Sequence, residues 1–238
     1  MRGSAFVFRK YDSDEKDRTW SLLFAIGSAV SPIMLGICVG AVSNGAIRVD
    51  PSGRLISGYL DSWWRPFPLV AGLFTLCLFT FLAAVYMCGR SGGQLREDFR
   101  RRALAAAVAV AVLALAAYLV ARADAPRIAT ALTSHWWSLP LQALTAICAL
   151  ATLWLLWRRH FAAARAGAAA QTGLIVLGWA FGQFPYLIYP DLAISASAAP
   201  TNILKMTVLV LGCGSLLLVP SFVYLFKVFS FSQREHGE

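Results

Sequence analysis

Charge is scarce in this sequence of 238 residues, and it is absent where a membrane carrier would need it. Only 12 residues are acidic and three are histidine. None of these lies inside the long apolar stretches of the chain. Proton pumps and ion-coupled carriers keep a carboxylate or histidine in mid-membrane, where its cost is justified only by transport. That class is disfavoured. His135, His160 and His236 fall in loops or at the tail, so no apolar stretch offers an imidazole for axial ligation of a heme. The five cysteines, Cys38, Cys77, Cys88, Cys148 and Cys213, form no Cys-x-x-Cys pair and have no histidine at metal-binding spacing. They read as small hydrophobes. Gly-x-Ser-x-Gly, Walker and His-Glu-x-x-His patterns are missing too, which removes the usual hydrolase and nucleotide-binding equipment.

What is abundant is apolar surface: 58% of residues are hydrophobic, 14% are charged, and the mean hydropathy is +0.64. Six runs carry no Asp, Glu, Lys or Arg: Trp20 to Asn44, Pro68 to Cys88, Ala103 to Ala121, Leu139 to Trp157, Ala166 to Tyr189 and Met206 to Phe226. At about 1.5 Å per residue each is long enough to cross roughly 30 Å of hydrocarbon as an α-helix. Strand-length segments of alternating polarity, the mark of a transmembrane barrel, do not occur. The expected fold is all-α: six transmembrane helices in one integral-membrane domain over residues 1–238. The first run follows nineteen mixed-charge residues and shows no clear cleavage signal, so it reads as a span and not as a signal peptide.

The net charge of +9 does not indicate nucleic-acid binding, because the basic residues sit between the spans. Fifteen of the 21 Lys and Arg fall in the amino-terminal stretch, the second and fourth loops and the carboxyl end. The other six lie on the opposite side. By the positive-inside rule both termini are cytoplasmic. Trp63-Trp64, Trp136-Trp137, Tyr186 and Tyr189 then gather on the other face, as an aromatic belt would.

Four glycines are the packing candidates. Gly36-x-x-x-Gly40 and Gly178-x-x-x-Gly182 each place two glycines on one helix face, the spacing used for close backbone approach in lipid. Such faces serve packing within the chain or against another subunit. Pro32 and Pro185 are expected to kink or end their helices. The alanine-rich tracts after Arg102 and around Arg165 read as low-complexity helix starts. Asn44, Gln142, Gln171, Gln183 and Lys205 are the polar residues that remain, each expected near a membrane face, bonding between helices or snorkelling.

Several stretches carry a resemblance. They are Gly178-Trp-Ala-Phe-Gly-Gln-Phe-Pro-Tyr-Leu-Ile-Tyr-Pro-Asp-Leu192, Ala198-Ala-Pro200, and Pro220-Ser-Phe-Val-Tyr-Leu-Phe-Lys-Val-Phe229. With Arg2-Gly-Ser-Ala-Phe-Val-Phe-Arg9, Gly36-x-x-x-Gly40-x-x-x-x-Gly45 and Pro66-Phe-Pro-Leu-Val-Ala-Gly72, they resemble subunit II of the cytochrome bd ubiquinol oxidase family, including its cyanide-insensitive branch. Members of that family begin with further helices and a His-Trp-acid motif, and this sequence is expected to start after them. Val7 stands where the family has an acidic residue, so that carboxylate does not carry over.

The resemblance implies a heme-poor subunit of a respiratory quinol:dioxygen oxidoreductase in the bacterial cytoplasmic (inner) membrane, not catalytic alone. On this reading hemes b and d sit in a partner, subunit I, quinol is the substrate of the complex, and this chain binds no cofactor by itself. It also leaves two readings of the tryptophan pairs, interfacial anchoring and the lining of a quinol or oxygen access route. Gly36, Gly40, Gly178, Gly182, Gln183 and Asp191 are the helix-packing or subunit-interface candidates, with Asp191 capping a short interfacial helix in a segment from Gln183 to Pro200. The rival readings are a small transporter or channel, and a remnant of the oxidase subunit that does not assemble.

Overall fold

The computed structural model describes residues 14–50 and 52–232. The Arg2 to Arg9 motif, with Val7, and His236 lie outside the described residues, and so do Arg234 and the other residues beyond 232. Among the described residues six helices are long and apolar enough to cross a membrane. The chain is a polytopic helical membrane protein.

In chain order the elements are α1 (Asp14–Ser43), α2 (Pro66–Arg90), α3 (Gly93–Asp124), α4 (Pro126–Ser134), α5 (Ser138–Trp157), α6 (Phe161–Gln183), β1 (Tyr186–Ile188), β2 (Leu192–Ala193) and α7 (Thr201–Ser232). The charge-free runs locate the spans but not the helix ends. α3 begins ten residues before the run at Ala103, because Gln, Leu, Arg and Glu are good helix formers and Arg100 pairs with Glu97 one turn away. α6 also begins before its run, and it ends before the run does. It starts at Phe161 and stops at Gln183, not at Tyr189, because Pro185 has no N–H to continue the ladder. Pro32, by contrast, sits inside a continuous α1. In the turn that precedes it Ser28, and directly before it Ser31, donate their hydroxyls to Phe24 O and Gly27 O, at 2.7 and 2.6 Å.

Two compact units make up the chain, residues 1–194 and 195–238. The second contains the helix α7, largely apolar in sequence, with Pro220 within it. In the first unit α2 is central and packs against α1, α3 and α6, while α5 pairs with α6. The main core joins α2 through Phe81, Val85 and Cys88 to Ala103 of α3, Leu156 of α5, and Ala164 and Ala168 of α6. All seven are 0–1% exposed. The alanine tracts therefore do more than start helices: their small side chains let α3 and α6 close on the larger residues of α2. In lipid, where burial itself provides little drive, such contact is the main source of helix association. Thr152 fills the space over Gly167, where any Cβ would collide with its hydroxyl.

The successive helices alternate in direction. The ends at Ser43, Pro66, Asp124, Ser138 and Gln183 thus gather on one side, here termed the cap end, and the turns at 90–93 and 158–160, with Arg90, Arg158 and Arg159, on the other.

Candidate functional site

Asp191 illustrates how the cap end is assembled. The segment after α6 is a two-stranded antiparallel hairpin, not a short helix, with Tyr186 opposite Ala193 and Ile188 opposite Leu192. Pro190-Asp191 sits at its turn, the residue types that favour one. Instead of capping a helix, Asp191 Oδ2 accepts hydrogen bonds from Arg48 Nε and from the Val49 backbone N–H, both at 2.8 Å. The Arg48 bond first, and the Val49 N–H second, hold its carboxyl below the usual carboxylate range. A depressed folded-state pKa contributes stability above the ordinary aspartate value and loses it as pH falls through the folded value. Amide exchange at Val49 is accordingly expected to accelerate on acidification below that range. Asp191→Asn should flatten this dependence, and an unchanged pH profile in the variant would refute the assignment.

Around this pair the cap closes through buried side chains. Gln183 Nε2 donates to Val42 O and Leu187 O, both at 3.3 Å, tying the end of α6 to α1 and to the hairpin. One turn back, Trp179 Nε1 donates to the buried Ser43 Oγ at 2.9 Å. Asn44 donates from Nδ2 to Ser62 O at 3.0 Å and accepts from Ala46 N at 2.9 Å. Gly45 has φ +76°, a region that favours glycine, and the Tyr189 ring lies only 3.0 Å from where a Cβ would stand. Arg127 of α4 donates to Phe184 O at 2.8 Å and lies 4.6 and 5.1 Å from the centroids of Tyr186 and Tyr189. Those two rings meet edge to face. These tyrosines are therefore fixed by a cation as well as by the interface.

Asp124 is the other anchor. Its Oδ1 accepts from Arg65 Nη1 at 2.8 Å and its Oδ2 from the Phe67 N–H at 3.0 Å. The carboxylate at the end of α3 thereby satisfies an orphan donor in the first turn of α2. Nothing in the sequence marked Asp124, Arg65, Arg48 or Arg127, since each finds its partner at long range. The signal for α4, a helix of nine residues, was present in Pro126 at its first position.

The four glycines divide into two kinds. A Cβ at Gly36 would stand 2.5 Å from Ala71 O and 2.7 Å from Gly72 Cα, and one at Gly40 would stand 2.6 Å from Pro68 Cα. Here backbone meets backbone, and Gly72 is the reciprocal glycine on α2, with Ile33 O 2.9 Å from its own absent Cβ. At Gly178 the nearest atom is the mobile Leu141 Cδ2 at 3.1 Å, and at Gly182 it is Ile128 Cδ1 at 3.4 Å. Gly36 and Gly40 thus face α2, while Gly178 and Gly182 face α5 and α4.

Gln171 is close to the midpoint of α6, because α6 begins earlier than its charge-free run. It is buried, and its Oε1 has no hydrogen-bond partner among the described residues. Within those residues no group of three or more His, Cys, Asp or Glu lies together as a metal site would require.

This architecture has solved counterparts. The structure of bd oxidase from Geobacillus thermodenitrificans contains a chain that superimposes with a TM-score of 0.78 at 22% identity, covering 97% of this chain and 70% of that one. At that identity the likeness establishes the fold. A comparison with curated proteins finds no match. The family model described as cytochrome bd terminal oxidase subunit II matches residues 1–229, nearly the whole sequence. The chain belongs to the cytochrome bd terminal oxidase subunit II family.

Proposed function

We propose that this protein is the heme-poor membrane subunit of a bd-type quinol:dioxygen oxidoreductase, and that it supports the assembly and stability of a heme-bearing subunit I. Membership of the subunit II family over residues 1–229 carries this reading. The chemistry of the spans supports it. Heme held by imidazole does not fit the residues present, since His135 follows α4 in a loop, His160 precedes α6, and no described span contains a histidine. When bound in the partner, hemes b and d supply the electron transfer from quinol to dioxygen. This chain supplies packed helices and an ordered cap. Residues 1–238 act as one integral-membrane domain, with both termini on the cytoplasmic side of the bacterial inner membrane, as the arginine asymmetry directs. Gly36, Gly40, Gly178, Gly182, Gln183 and Asp191 hold the subunit in the shape the partner recognises.

Expression of the tagged chain together with its neighbouring genes tests the proposal. Affinity purification is expected to yield a heme-bearing partner in equimolar amount, with b- and d-type absorption bands in the eluate. A stable, monodisperse, colourless protein without a partner would overturn it. Solute flux through liposomes holding this chain alone would favour the transporter reading in its place.

A further inference from the structure

On the outer side of α4 lies a groove of about 350 Å³ lined by Tyr118 and Arg122 of α3 and by Pro126, Ala129, Thr130 and Thr133 of α4. Its position follows from the sequence. The charge-free run of α3 ends at Ala121, so Arg122 marks the edge of the hydrocarbon, and the chain then turns at Ala125 into a short helix. Ile128, Ala129 and Ala131 of that helix are buried against the bundle, while Thr130 and Thr133 are exposed. The groove therefore sits at headgroup depth, on the polar side of an interfacial helix.

The hydrogen-bonding state of its lining is specific. Three neighbouring charged groups at the cap end are engaged within the chain: Asp124 with Arg65, Asp191 with Arg48, and Arg127 Nη2 with Phe184 O. Among the described residues the exposed Arg122 guanidinium and the Tyr118 hydroxyl have no such partner. Two donors, one of them cationic, thus open into the groove. The threonines are the reverse. Thr130 Oγ1 donates its proton to Pro126 O at 2.6 Å, and Thr133 Oγ1 donates its own to Ala129 O at 3.1 Å, which leaves only lone pairs facing outward. A ligand that fits must present an anion to Arg122 and Tyr118 and hydroxyl donors to Thr130 and Thr133, and it must be abundant at this depth.

We infer that the groove binds the headgroup of an anionic, hydroxyl-bearing glycerophospholipid. Its phosphodiester lies on Arg122 and Tyr118, its headgroup hydroxyls lie on the two threonines, and its acyl chains run down the lipid-facing side of α3. Charge complementarity selects this occupant over a choline lipid, which has neither net charge nor a donor.

The test uses the full chain, purified in mild detergent with whatever subunits accompany it. Native mass spectrometry and titration with phosphatidylglycerol are compared for the wild type and for Arg122→Gln, Arg122→Lys and a Thr130→Val/Thr133→Val double variant. The expected result is a retained phosphatidylglycerol that Arg122→Gln loses, with affinity falling roughly fivefold. Arg122→Lys should recover part of it, and the double threonine variant should lower the preference for phosphatidylglycerol over phosphatidic acid. Arg122 is exposed, so its variants leave the packed core intact, which unchanged thermal unfolding would show. Equal retention in wild type and Arg122→Gln would overturn the inference, as would equal affinity for phosphatidylcholine. So would a groove that retains no lipid because a protein subunit covers it. Displacement of the lipid by millimolar inorganic phosphate would identify a free-anion site and overturn the lipid assignment.

Discussion

Gly36→Leu is expected to part α1 from α2 and to destabilise the protein by about 3 kcal/mol, the upper end of what overpacking a filled site costs. The magnitude follows from what the new side chain meets. Ala71 O and Gly72 Cα are backbone atoms of a helix that is itself held by α3 and α6, so α2 cannot retreat without disturbing two further contacts. Gly178→Ala and Gly182→Ala are expected to change stability by no more than about 0.5 kcal/mol, since each meets the free end of a side chain that can rotate away. Unfolding of the purified protein by graded denaturing detergent, followed by tryptophan fluorescence, measures all three. A Gly36→Leu protein that unfolds at the wild-type midpoint would contradict the packing described here. So would a Gly178→Ala protein as weak as Gly36→Leu.

The second large effect concerns the junction of α2 and α3. Asp124→Ala removes both acceptors of a carboxylate that is only 8% exposed, and it strands the Phe67 N–H at the start of α2. A hydrogen bond to a charged group contributes about 1.5–3 kcal/mol. Arg65 is half-exposed, so the ion pair itself adds little. The expected loss is about 2 kcal/mol. Asp124→Asn keeps an acceptor for Phe67 N–H and should lose about half as much. Equal midpoints for the two variants would show that the charge, not the cap, is what matters at this position.

These residues also show what a sequence discloses of such a fold. The spans were legible because hydrocarbon excludes charge, and that exclusion is a local property. The helix ends were less so: Glu97 and Arg100 stand outside the hydrocarbon yet inside α3, so absence of charge marks the membrane and not the helix. Gly36 and Gly40 could be picked out by spacing, but not distinguished from Gly178 and Gly182, because the same four-residue interval faces backbone in one helix and flexible leucine or isoleucine in the other. Asp191 was visible as a polar residue beside a proline. Its partner Arg48 was not, because 143 residues separate them and no local pattern encodes that meeting. The hairpin was hidden for a related reason: three residues of one strand and two of the other are too few for alternation to emerge.

The central place of α2 has a consequence for biogenesis. Its neighbours α1 and α3 are adjacent in the chain and can dock while the polypeptide is still emerging from the ribosome, but α6 is not synthesised until two more helices, α4 and α5, have been made. During that interval the face of α2 carrying Phe81, Val85 and Cys88 lacks the alanines of α6 that later seal it. A nascent chain arrested after α3 would therefore offer the insertion machinery an open seam, and α6 is the helix that closes it.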